Sequence, residues 1–129
     1  MTNRRPVYLS GLNQPGSTMT KFYLPGESLE RLNALTGPRG RSHWIADCVN
    51  TIVELDHETR LWLILRDVII RSSPLHLCPV RLNSVTYTQV RYLLAVFRQS
   101  CPGQDLDSSG VLRTATLWGL HRTLGPARI

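Results

Sequence analysis

"TKFYLPGESLERLNAL", residues Thr20 to Leu35, changes its period partway along. Up to Leu24 the residues alternate: Thr20, Phe22 and Leu24 share one face, and Met19, Lys21 and Tyr23 take the other, as the side chains of a strand must. From Glu27 onward Leu29, Leu32 and Leu35 recur every three positions, which is the stripe of a helix. Pro25-Gly26 stops the strand between them. No strand-like segment follows in the next forty residues or so, yet a strand's N–H and C=O groups need partners. The pairing strand must therefore lie farther along this chain or in another one.

Downstream, Gly37 and Pro38 in "TGPRGR" supply a helix stop, and Ser42 stands where an N-cap belongs. The stripe Trp44, Ile45, Cys48, Val49, Ile52 and Val53 then predicts a second helix. In "LDHETRLWLILRDVIIRSS", Leu61, Ile64, Leu65, Val68 and Ile69 follow helical spacing, with Arg60, Arg66, Asp67 and Arg71 elsewhere, so a third helix is expected. After Pro74 the order repeats. "HLCPVRLNS" is of strand length, with Cys78, Val80 and Leu82 on one face and Leu77, Pro79 and Arg81 on the other. "VTYTQVRYLLAVFRQS" carries a helical stripe of Tyr87, Val90, Leu93, Leu94 and Phe97. "SSGVLRTATLWGLHRTL" predicts a last helix capped by Ser108 or Ser109, with Val111, Leu112, Ala115, Leu120 and Leu124 available for burial. Laying Leu24 on Leu82 places Leu32 on Val90 and Leu35 on Leu93 at a constant offset of 58, and laying Ser42 on Ser109 places Ile45 on Leu112. The repetition is one of pattern, with little residue identity.

The bulk properties fit a single domain. The chain has 129 residues, 42% of them apolar and 19% charged, and a formal net charge of +6. That charge favours an acidic partner, nucleic acid first and an anionic surface second. It is uneven: residues 1–16 hold two arginines, residues 17–71 balance seven basic against seven acidic side chains, and residues 72–129 hold six basic against two acidic. Residues 1–16, rich in Pro, Gly, Asn and Arg, read as a flexible basic arm. The longest apolar run is broken by Arg66 and Asp67, too soon for a membrane span, and the N-terminal stretch lacks the apolar segment of a secretory signal. Three cysteines without a C-x-x-C pair argue for a reducing compartment.

Strand, helix, turn and Ser-capped helix over about 45 residues resembles the ribbon-helix-helix family of DNA-binding proteins. The resemblance implies a mainly α fold with one short two-stranded antiparallel β-ribbon, in which two units interlock and the ribbon enters the major groove of double-stranded DNA. Here both units would lie in one chain, 17–54 and 75–125, joined by a crossover helix within 55–73, giving a monomeric pseudo-dimer over residues 17–129. With its basic arm, this arrangement also resembles accessory factors of T-DNA and plasmid DNA processing and transfer, which implies a bacterial cytoplasmic protein that works beside other DNA-processing proteins. A ribbon-helix-helix transcriptional repressor is the alternative.

Family roles then fall on the outward strand positions for base reading: Met19, Lys21 and Tyr23 in the first unit and Leu77, Pro79 and Arg81 in the second. Arg81 and Lys21 lead, because a cation can meet the O6 and N7 acceptors of guanine. Phosphate contacts fall on Arg4 and Arg5 of the arm, on Arg39, Arg41, Ser42 and His43, and on Ser109 and Gly110, where a helix N-terminus favours an anion. Pro79 donates nothing to a ladder, so its nitrogen must face away from the partner strand.

Rival chemistries are poorly supported. "DLDSSG" begins like a calcium loop, but position twelve is Thr116 rather than a bidentate Glu, so a turn leading into a helix is expected. "DHETR" lacks the second histidine of a zinc motif, since Leu61 stands in its place. No enzyme, cofactor or metal is expected. A protein-interaction module docking through the apolar segment 61–70 is the competing reading.

Overall fold

In the computed structural model, residues 17–125 are described, and their order is strand, broken helix, helix, strand, helix, helix. β1 (Thr18–Pro25) leads into α1 (Gly26–Glu54); α2 (His57–Ile70) crosses over to β2 (Leu75–Leu82), and α3 (Ser84–Ser100) and α4 (Ser108–Leu124) follow. α1 leaves helical geometry at Gly37 alone, where φ is 66° and ψ is 175°, so the described residues form five helical segments. That backbone region is closed to residues with a Cβ. Position 38 reopens the helix with a proline, whose missing N–H costs nothing at a helix start.

β1 finds its partner in β2. The two strands pair antiparallel, with Met19 opposite Arg81, Lys21 opposite Pro79 and Tyr23 opposite Leu77. One face of this ribbon is driven into the protein: Phe22, Leu24, Cys78, Val80 and Leu82 are buried against Leu32, Ile45 and Val49 of α1, Val90, Leu93 and Phe97 of α3, and Val111, Leu112 and Ala115 of α4. The alternation read from the sequence therefore divides the two faces correctly. α1 and α4 approach each other closely at Gly119, where a Cβ would collide with Cys48 Sγ and the Trp44 ring.

Both outer edges of the ribbon form hydrogen bonds with the helices beside them. Along β2, Arg41 Nη1 donates to the Pro79 carbonyl at 3.2 Å, and the Arg81 N–H donates to Ser42 Oγ at 2.9 Å. Pro79 thus turns its polar edge away from β1, and its missing N–H leaves no gap in the ladder. Along β1, Arg113 Nη1 of α4 donates to the Tyr23 carbonyl at 3.1 Å.

Four details correct the sequence reading. Ser42 lies inside α1 rather than at a helix start, because one residue at Gly37 is enough to break the helix and the new arm begins four residues earlier than Ser42. The cap of α4 is Asp107, whose Oδ1 accepts from the Gly110 N–H at 2.9 Å, rather than Ser108 or Ser109. The buried face of α2 is Leu63, Ile64 and Asp67, while Leu65, Val68 and Ile69 face outward. The rotation has a physical cause: Asp67 is drawn inward by Arg113, which reaches it through Nε at 2.6 Å and Nη2 at 2.8 Å with both side chains buried. Leu35, Tyr87 and Leu124, expected in helix stripes, are exposed.

Candidate nucleic-acid interface

The outward face of the ribbon is built by alternation: with Phe22 and Leu24 committed to the core, Met19, Lys21 and Tyr23 can only point out, and Cys78, Val80 and Leu82 force Leu77, Pro79 and Arg81 outward in the same way. All six are exposed, and they lie on one surface about two side chains wide. Lys21 and Pro79 sit opposite each other midway along it, Tyr23 and Leu77 toward one end, Met19 and Arg81 toward the other. Met19 at 58% and Tyr23 at 41% exposure are large apolar surfaces left in water, next to two cations. Arg81 keeps a loose contact with Ser17 Oγ, 3.4 Å from Nη1, so its guanidinium is free to take a better partner.

At the Met19–Arg81 end the ribbon meets the second arm of α1, and the two enclose an open hollow of about 590 Å³ lined by Met19, Arg41, Ser42, His43, Pro79 and Arg81. Three residues expected to read bases and three expected to hold phosphate are thus brought together in one concave surface. Their hydrogen bonds divide them further. Arg41 is spent on structure, holding the Pro79 carbonyl and Asn33 Oδ1, and the Ser42 hydroxyl is occupied by the Arg81 N–H. His43 is exposed with its Nε2 3.8 Å from Asp47 Oδ2, and Arg39 is exposed nearby in the same arm. The exposed cations of this surface not committed to a short structural hydrogen bond are therefore Lys21, Arg39 and Arg81, with His43 on the same helix as Arg39.

The other side differs. Ser109 Oγ lies 3.4 Å from Arg113 Nη1, and Gly110 is buried with its N–H donated to Asp107. A carboxylate already fills the anion position at the start of α4, which satisfies the free N–H groups there and repels a phosphate. The phosphate role expected of Ser109 and Gly110 is therefore not carried forward. Arg4 and Arg5 lie outside the described residues.

Sequence reasoning missed Asp67 and Arg113, which link α2, α4 and β1 behind the ribbon. Two charged residues 46 positions apart in helices otherwise read as amphipathic give no local signal. It missed Asp107 as well, placing the cap at Ser108 or Ser109, although Asp107 stands only three residues before the Gly110 N–H it accepts. Burial pushes the Cys48 thiol up to about 12 and the Cys78 thiol upward as well, so neither is poised as a nucleophile. Among the described residues no group of His, Cys, Asp and Glu could hold a metal ion, and no helix is long and apolar enough to cross a membrane. Comparison with protein-family models, curated proteins and solved structures finds no match to this chain.

Proposed function

We propose that this chain binds double-stranded DNA by placing the outward face of its β1–β2 ribbon in the major groove, as a tandem ribbon-helix-helix protein. The observation that carries the reading is the ribbon itself: two strands from distant parts of the chain pair antiparallel, bury Phe22, Leu24, Cys78, Val80 and Leu82 on one face, and leave Met19, Lys21, Tyr23, Leu77, Pro79 and Arg81 exposed among the described residues. A two-stranded ribbon fits the width of the major groove. The register adds support, because Lys21 stands opposite Pro79, and these same two positions correspond at the offset of 58 that overlays the two units. A residue facing its own counterpart is what a local two-fold axis through the ribbon produces.

The two halves of that surface differ chemically. Toward one end lie Arg81, His43 and Arg39; toward the other, Tyr23, Leu77 and a helix start closed by Asp107. A target with unlike half-sites follows, and a directional site of that kind suits an accessory factor in T-DNA or plasmid DNA processing and transfer better than a palindromic operator suits a repressor.

Duplexes selected from a randomised pool by the intact chain, followed by gel shift at graded salt, test the reading. Affinity should fall steeply between about 50 and 200 mM salt, in proportion to the phosphates contacted. Arg81→Ala should cost about 5- to 150-fold and relax preference at one position, the range of a lost bidentate contact to guanine. Unchanged affinity and unchanged preference would remove the ribbon from the mechanism. Equal binding to the selected site and to either of its symmetrised palindromes would remove the asymmetry.

A further inference from the structure

The crossover helix α2 buries Leu63, Ile64 and Asp67 and turns a second apolar stripe to solvent on the opposite side. Trp62, Leu65 and Ile69 make that stripe, with Trp62 58% and Ile69 74% exposed. With Glu58 they follow a 4-3-4 spacing along α2, which is the seam of a helix meant for another helix rather than the wider stripe that faces a globular core. No element of the described residues covers it, and the ribbon reading does not use it.

The charges along the seam say what covers it. Glu58 lies four residues before Trp62, and Arg66 four residues after, with the Arg66 guanidinium resting 4.8 Å from the Trp62 ring centre. An antiparallel copy of α2 with its two-fold axis at Trp62 places Glu58 of each chain beside Arg66 of the other and stacks the two indoles. The same pairing opposes the two helix dipoles. A parallel partner, or one with a uniform charge, would satisfy neither end.

We propose that the exposed face of α2 is a docking site for a second copy of this chain, joined antiparallel about Trp62 through reciprocal Glu58–Arg66 pairs. One helix pair falls below the roughly 1,200 Å² of a stable interface, so the free protein associates weakly and two copies held on neighbouring DNA sites associate readily. The association itself does not rest on DNA binding and is tested without it.

Sedimentation equilibrium of the intact chain, from about 5 μM to 1 mM, where weak dimers of this size assemble, should show a mass rising from one chain toward two. Trp62→Asp, on the axis itself, should hold it at one. Glu58→Arg and Arg66→Glu should each weaken association at least tenfold, and the double variant should recover to within about threefold of the parent, since the swapped charges complement one another again. Parent mixed with labelled double variant should form no mixed dimer. All three side chains are exposed, so circular dichroism should report an unchanged fold for every variant. A parent that stays monomeric at 1 mM overturns the proposal. So does a folded double variant that fails to recover, or a mixed dimer as strong as the parent's own.

Discussion

Removing one member of the Asp67–Arg113 pair should be the most damaging single change outside the apolar core. Arg113 is 3% exposed and Asp67 1%, and two hydrogen bonds of 2.6 and 2.8 Å join them side by side. Arg113 spends a third donor on the Tyr23 carbonyl, so the pair pins the crossover helix and the outer edge of β1 to the same helix, α4. Asp67→Ala leaves a guanidinium without its counter-charge in a site that water does not reach. Loss of one partner from a buried pair costs about 3–5 kcal/mol. For a domain of this size that corresponds to roughly 12–20 °C in Tm, at about 4 °C per kcal/mol. The double variant Asp67→Leu, Arg113→Met removes both charges and keeps the volume, and should recover most of the loss, because desolvating the pair had offset much of its attraction. Urea unfolding followed by circular dichroism, run on parent, Asp67→Leu, Arg113→Met and their double, gives the coupling energy directly. A single Asp67→Ala costing under about 1 kcal/mol, or a double variant as unstable as the sum of the singles, would refute the claim that these charges are buried and mutually dependent.

Gly37→Ala should cost about 1–3 kcal/mol in thermal unfolding, because its φ of 66° with ψ of 175° is strained for any residue with a Cβ; Gly40→Ala, three residues on in helical geometry, should cost nothing or stabilise slightly. Gly119→Ala should destabilise by about 1–3 kcal/mol through its collision with Cys48 and Trp44, and Cys48→Ala in the same chain should restore part of that loss, measured as the urea midpoint. At pH 8 a thiol reagent should label Cys101 first, since it is only half-buried, whereas Cys48, with its pKa pushed up to about 12, and buried Cys78 should react only on unfolding; mass spectrometry of the labelled chain reads the order. Asp56 caps α2 through Thr59, and those hydrogen bonds hold its carboxyl below the ordinary range. The stability it adds is present above the unfolded carboxylate pKa and fades as pH falls through the lowered folded value, so Asp56→Asn should flatten the acid limb of the stability profile.

How far the sequence reaches depends on the range of the interaction. Period two in "TKFYL" and period three to four after Glu27 are properties of neighbouring residues, and they assign the strand, the helices and both faces of the ribbon. Caps at Asp56, Asn83 and Asp107 also lie within three residues of what they bond, yet they were not read, since the serines beside Asp107 offer the same short-range chemistry. The pairing of β1 with β2 is expected from the family resemblance, helped by a second segment of strand length, "HLCPVRLNS", since an unpaired strand is costly. What is shared between distant segments could not be read. Asp67 and Arg113 resemble ordinary polar positions until the fold sets one against the other, and that contact turns α2 so that Leu65 and Ile69 face water instead of the core. The same holds for Arg41 and Ser42, whose groups close the edge of β2 from some 39 residues away and so are withdrawn from the surface that sequence alone assigned to phosphate. Local periodicity determined which residues form the ribbon and which of its faces looks outward; only tertiary contact decided which cations remain free there, because a side chain is released or committed by the partner that happens to reach it.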